Sequence, residues 1–276
     1  MMIFRILDRS PWRLSRACEL GSLDPVARIA RPFFLRVRGL RAFMPFIEYS
    51  PTSWRLTGSS RSIFRVTVTR RAGRDVMSPQ KMGAFLIKVI AHLNLERVHA
   101  VGPDVGALAC LFAAAEHPSV FVSLAVGGGA VRVDLAAGDL RNVIATPKGT
   151  FAAMNGADVM ADYLTQAGNL TPAAVIEDFR RASTGKRFED ASEYVRAYKE
   201  DLPILGARLR EIQTPVLVIA GRNDPIVPPA NAELLAERLP HNRLALLDAA
   251  HRIWEEATEP YARDILSWVG GGYRLV

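Results

Sequence analysis

Asp104 stands between two glycines in Gly102-Pro103-Asp104-Val105-Gly106. The apolar stretch Val98-His99-Ala100-Val101 precedes it, and Ala107-Leu108-Ala109-Cys110-Leu111-Phe112 follows it. That order reads as strand, sharp turn and helix, with one acidic side chain at the tip. Small flanking residues tolerate the strained backbone of such a G-x-Nu-x-G elbow. A carboxylate at the tip is a nucleophile of restricted scope. It attacks esters poorly, because the anhydride it would form reverts easily. Against an sp³ carbon bearing a leaving group it forms an alkyl-enzyme ester.

Two further residues fit that chemistry. Asp224 turns out of the apolar run Val216-Leu217-Val218-Ile219-Ala220-Gly221, and His251 follows Arg243–Leu247. A histidine held by an acid is the base that would deprotonate a water and cleave the ester at the Asp104 carbonyl. Each residue also has an ordinary reading. Gly-x-Asp-x-Gly and Asn-Asp-Pro are common turns, and His251 suits the entry to a helix. Their order along the chain, each after a strand, favours the chemical reading. His92, His99, His117 and His241 show no partner pattern and read as structural.

The elements that must position these residues alternate. Ser78 is a good N-cap, with Pro79 at the first helical position. Met82, Phe85, Leu86, Val89, Ile90 and Leu93 continue at helical spacing. Phe121 to Val126 reads as a buried parallel strand closed by Gly127-Gly128-Gly129. Residues 131–210 contain no convincing strand pair. They read as helical pieces: Thr150–Met154, Ala157–Ala167, a segment capped by Thr171 and Pro172 that runs to Ser183, and Ser192–Tyr198. A strand at 215–221, a helix at Ala230–Leu239, a strand at Arg243–Leu247 and a helix at Pro260–Val269 complete the alternation. Strands alternating with helices predict an α/β fold, a mostly parallel sheet flanked by helices. Ligand sites in such sheets lie at the carboxyl ends of the strands.

From residue 75 to the end the chain resembles the α/β-hydrolases. The matching stretches are Val101-Gly102-Pro103-Asp104-Val105-Gly106, Ile219 to Pro228 with Asp224 inside it, and His251 followed by Trp254-Glu255-Glu256, in the family order of nucleophile, acid and histidine. The resemblance implies a core at 76–130 and 211–276, a helical cap at 131–210, and an atypical Arg-rich segment at 1–75. An Asp nucleophile is similar to the epoxide hydrolase and haloalkane dehalogenase branch. Catalytic roles then fall to Asp104, His251 and Asp224, and one oxyanion donor is the backbone N–H of Val105. In dehalogenases a Trp commonly follows the nucleophile; Val105 stands there, which favours an epoxide. Tyr163, Tyr194 and Tyr198 are candidates to protonate the opening oxygen, and Trp254 to line the substrate. Each is also an ordinary packing residue. A haloalkane dehalogenase, an esterase-like enzyme, and an impaired hydrolase or partner-binding module are the alternatives. The family's His-Gly motif and Pro-Asp-x-x-Gly-x-Gly loop do not occur in residues 1–75. Arginine without lysine, mixed with Ser and Pro, is a composition that a shifted reading frame of GC-rich DNA produces.

Composition narrows the partners. Residues 1–75 hold 15 Arg, no Lys and five acids, a net charge of +10, whereas the other 201 residues carry 20 basic and 23 acidic side chains, a net charge of −3. The basicity belongs to the head alone, and it comes without aromatic base-stacking motifs or a helix-turn-helix pattern. Nucleic acid is therefore not expected as a partner; the resemblance implies a small hydrophobic substrate, and a homodimer stays open. Cys18 and Cys110 make no disulfide framework, no Cys/His cluster has zinc spacing, and no metal or cofactor is expected. No apolar run is long enough to span a membrane, and Arg5, Arg9, Arg13 and Arg16 break up any signal-like stretch. A cytoplasmic protein is expected.

Overall fold

A computed structural model describes residues 2–5, 47–56, 59–68, 76–166 and 173–276. Among the described residues seven strands form one sheet: β1 Met2–Arg5, β2 Ile47–Leu56, β3 Ser59–Val68, β4 Val98–Pro103, β5 Phe121–Gly127, β6 Val216–Gly221 and β7 Asn242–Leu247. Their order across the sheet is β2-β3-β1-β4-β5-β6-β7. The strands β4 to β7 run parallel, each beside the next in sequence.

The burial of those parallel strands alternates as strand geometry requires. Ala100 of β4, Leu124 and Val126 of β5, and Val218 of β6 face one core cluster. Val101, Ala125, Leu217 and Ile219 face a second, with Tyr261, Ile265 and Trp268. Both faces of the sheet are therefore covered, which is why β5 and β6 read as continuous apolar runs.

On the first face lie α1, Pro79–His92, and α2, Val105–Glu116. The Ser78 side chain accepts the Lys81 N–H at 3.3 Å, the cap that the sequence predicts. Every residue of α2 from Ala107 to Ala114 is buried. Gly83 lets the two helices touch: a Cβ there would stand 2.9 Å from both Ala109 O and Phe112 Cβ.

Between β5 and β6 come α3 (Gly138–Ala145), α4 (Gly156–Gln166), α5 (Ala173–Ala182), α6 (Arg187–Arg196) and α7 (Tyr198–Arg208); after β6 come α8 (Ala230–Arg238), α9 (Ile253–Glu256) and α10 (Thr258–Val269). Within the described residues no helix is long and apolar enough to cross a membrane.

Several sequence expectations are corrected. In the head, the alternation of Phe64, Val66 and Val68 marks β3, and two more strands lie beside it. β1 pairs antiparallel with both β3 and β4, and β2 with β3. The stretch Ser50-Pro51-Thr52-Ser53, rich in turn-forming residues, lies inside β2, which is the sheet edge, where proline is tolerated. Thr150–Met154 is a series of turns and not a helix. Gly149 adopts φ +88°, and its N–H and that of Phe151 are taken by the Glu189 carboxylate at 2.7 and 2.8 Å. Conversely, α3 and α7 were not expected, and α7 carries Pro203 in its interior. The cap expected at Thr171 and Pro172 lies outside the described residues, as does Cys18.

Candidate active site

The elbow is built by steric necessity. Asp104 adopts φ 53°, ψ −129°, a conformation that costs an L-residue on the order of 1–3 kcal/mol. Its N–H donates to Gly127 O at 2.8 Å, which fixes the tip to the end of β5. A side chain at Gly102 would place its Cβ 2.5 Å from Gly106 O and 2.8 Å from Cys110 Sγ, so the turn closes only with glycine there. Asp104 is also the residue that caps α2, yet its carboxylate makes no capping bond. The ordinary role of such an aspartate is thus left undone, and the carboxylate points elsewhere.

It points at His251. The His251 Nε2 lies 3.6 Å from Asp104 Oδ1, an ion-pair distance longer than a hydrogen bond. On the other side of the ring, Nδ1 lies 2.8 Å from Asp224 Oδ2. The second Asp224 oxygen accepts the N–H groups of Ile226 and Val227, both at 2.8 Å. Asp224 is therefore a turn residue and the partner of the histidine at once. Exposure falls along the row: the side chains of Asp104, His251 and Asp224 are 45%, 12% and 1% exposed. The acid that orients is dry and the tip is open.

Burial opposes charging His251, but the two carboxylates outweigh it and raise its pKa from 6.5 to about 10. At neutral pH the ring is an imidazolium between two anions.

The other predicted residues separate. Tyr194 donates its hydroxyl to Val105 O at 2.8 Å, so its proton is committed. Tyr198 is buried with its ring 6.1 Å from that of Tyr194. Burial, then Tyr198 and Asp104, push the Tyr194 phenol well up, and burial with Asp104 does the same to Tyr198. Tyr163 on α4 is exposed, and feels Arg252, Asp104, Asp224 and Glu256; burial of part of its ring, more than any of these charges, raises its pKa. Trp254 sets its ring edge-on to His251, 6.4 Å between centroids. Val105, at the first position of α2, has no intrahelical acceptor for its N–H.

Two neighbours escaped sequence reasoning. Gly128 sits at φ +70°, and a Cβ there would stand 3.6 Å from Asp104 N and 3.8 Å from His251 Cε1. Its place in a glycine triplet closing a strand was the available signal. Glu256 accepts the N–H groups of Ala250 and Arg252, at 2.6 and 3.3 Å, on either side of His251. Its five-residue offset from the histidine was visible, but not what it touches. His99, read as structural, is buried and bonds Ser123 Oγ at 2.7 Å through Nδ1. No group of three or more His, Cys, Asp or Glu suited to a metal occurs among the described residues.

Strand order, the positive-φ elbow and the acid–histidine pair at one sheet edge define a hydrolase of the α/β-hydrolase superfamily. The chain belongs to the α/β-hydrolase fold family, whose model matches residues 70–258. It is similar to a putative carbamate hydrolase, RutD, of Caulobacter sp., 28% identical over 234 residues that cover 76% of this chain and 82% of that one. It is also similar to 2-hydroxy-6-oxononadienedioate/2-hydroxy-6-oxononatrienedioate hydrolase 2 of Pseudomonas putida, 26% identical over 189 residues and 64% of each chain. Among solved structures, an enol-lactonase from Burkholderia xenovorans superposes with a TM-score of 0.59 at 19% identity, over 75% of this chain and 80% of that one.

Proposed function

We infer that the chain is an Asp-nucleophile hydrolase acting on a small hydrophobic substrate with an electrophilic sp³ carbon, an epoxide by preference. The observation that carries this is an aspartate, not bonded as a cap, at the positive-φ tip and within ion-pair distance of His251. An Asp104 oxygen attacks the ring carbon, and the C–O bond opposite breaks. Backside attack sends the leaving oxygen away from Asp104, so its proton must come from beyond the elbow. Tyr163 serves there, since the Tyr194 hydroxyl is committed to Val105 O and Tyr198 is buried. The product of this step is an ester in which Asp104 has lost its charge.

That loss changes His251. With Asp104 esterified, one of the two anions holding the imidazolium proton disappears and the pKa falls. The ring gives up its proton, which returns through solvent to the Tyr163 phenolate left by ring opening, and becomes the base for the second step. Water then loses a proton to Nε2 and attacks the Asp104 carbonyl, and the Val105 N–H supports the developing oxyanion. The diol leaves, Asp104 is again a carboxylate, and His251 is again protonated.

Turnover of an aryl-substituted epoxide in heavy-oxygen water tests the reading. Cleavage at the carbonyl carbon transfers the label to Asp104, and mass analysis of the peptide spanning the elbow would find it there. An unlabelled Asp104 in an active enzyme rules the ester out. A second reading is favoured by the names of the relatives, which are hydrolases of a carbamate and of a hydroxy-oxo dienedioate. In it the site cleaves an activated acyl bond and Asp104 acts otherwise than as a nucleophile. Hydrolysis of an activated aryl ester that survives Asp104→Ala would select it.

A further inference from the structure

The segment that carries His251 is braced on one side by the Asp224 turn. Arg222 N–H donates to Leu247 O at 2.8 Å, Asn223 N–H to Ala249 O at 3.0 Å, and Asn223 Nδ2 to Asp248 Oδ1 at 2.9 Å. Gly221 permits this approach, because a Cβ there would stand 2.0 Å from Ala250 O. None of these bonds reaches past Ala250. The histidine is the next residue, and its ring must meet Asp224 at 2.8 Å on one edge and face Asp104 on the other.

Beyond Ala250 the brace is Glu256. One of its oxygens accepts the Ala250 N–H at 2.6 Å and the other the Arg252 N–H at 3.3 Å. The two donors flank His251, and the acceptor lies on α9, the helix that the histidine segment enters. We propose that Glu256 is a positioning residue that clamps the backbone on both sides of His251 and so sets the ring between Asp104 and Asp224. A carboxylate suits this task. Each of its two oxygens takes one N–H, and bonds to an ionised acceptor are about twice as strong as neutral ones. A neutral amide keeps one acceptor oxygen and so only half of the clamp.

The proposal rests on the nucleophile reading only for its kinetic readout, since His251 acts in the second step there. In Glu256→Ala, kcat should fall about tenfold or more with KM kept, the scale on which small displacements of reacting groups act. The alkyl-enzyme ester should accumulate, because alkylation does not need the histidine. The second readout does not depend on activity: the far-downfield proton of the His251 Nδ1–H···Asp224 bond in the proton NMR spectrum. It should broaden or vanish in Glu256→Ala and persist, weakened, in Glu256→Gln, which also serves if the alanine variant does not fold. Glu259→Gln, an exposed charge change on α10, should leave both readouts unmoved. Loss of the downfield proton with no ester in any variant would uphold the clamp while sinking the nucleophile. A wild-type downfield proton in Glu256→Ala would overturn the clamp, whatever kcat does.

Discussion

Asp224 and His251 form the tightest pair at the site, Oδ2 to Nδ1 at 2.8 Å, and the remaining oxygen of Asp224 is fully engaged by the N–H groups of Ile226 and Val227. The acid cannot rotate without breaking three bonds. It fixes which edge of the imidazole faces Asp104, and it does so with its side chain almost wholly out of water. Asp224→Ala strands the buried N–H of Val227 and the part-buried N–H of Ile226, and leaves the ring without its orienting partner. Unsatisfied buried groups of that kind cost about 1–3 kcal/mol each. The variant should melt earlier and lose about 10²–10⁴-fold in the water-attack step, with Tm by calorimetry and rapid-quench trapping of the ester as the measurements.

The charge of His251 gives a second prediction. Its folded pKa of about 10 lies above its ordinary 6.5, so the ion pairs contribute stability that is fully present below 6.5 and is lost as pH rises through about 10. The Tm difference between the wild type and His251→Ala should therefore narrow across that interval. In Asp104→Ala the NMR titration midpoint of His251 should move down, because one of the two anions is gone. An unchanged midpoint would deny the coupling between them.

Tyr163 supplies a third. Tyr163→Phe should slow ring opening by about 10²-fold or more, while an ester already formed is hydrolysed at the normal rate. Single-turnover kinetics separate the two steps. Equal slowing of both would remove Tyr163 from the role of acid.

A fourth concerns the scaffold. Glu189 is held by Arg196, at 2.8 Å through Nη1, and by the N–H groups of Gly149 and Phe151. Its hydrogen bond to Arg196 pulls the carboxyl pKa from 4.5 to about 2 despite burial. The stabilisation is present above 4.5 and lost as pH falls through about 2. Glu189→Gln should accordingly flatten the acid limb of the stability curve. Arg196→Ala, which leaves a buried carboxylate without its partner, should cost about 3–5 kcal/mol in denaturant unfolding.

The parallel half of the molecule could be read from sequence because its signals are local. Ser78 and Pro79 mark the start of α1, the continuous apolar runs mark β5 and β6, and Gly102 with Gly106 brackets the elbow. What escaped is made by contacts between distant segments. The α6–α7 break falls at Ala197, whose φ −66° and ψ −9° are still near-helical, so no breaker residue announces it. Pro203 argues locally against α7, yet Leu202 and Leu205 hold that helix in the core. The Tyr194 bond to the elbow and the reach of Glu256 across the histidine segment link a side chain to a backbone group. Such links leave no periodicity to read. Of the antiparallel head strands only β1 pairs with β4, with β3 joined through β1 and β2 through β3, and the composition of the head does not announce that pairing.

The Tyr194 hydroxyl has one more implication, for how such proteins diversify. Its bond to Val105 O fastens α6 to the first turn of the helix that presents Asp104. The helices between β5 and β6 are thus no interchangeable module resting on a finished core, because the elbow is secured from above by one of them. A graft that imports these helices from a relative must bring a hydroxyl to the same carbonyl, or the recipient's elbow loses a support that its own strand and turn do not replace.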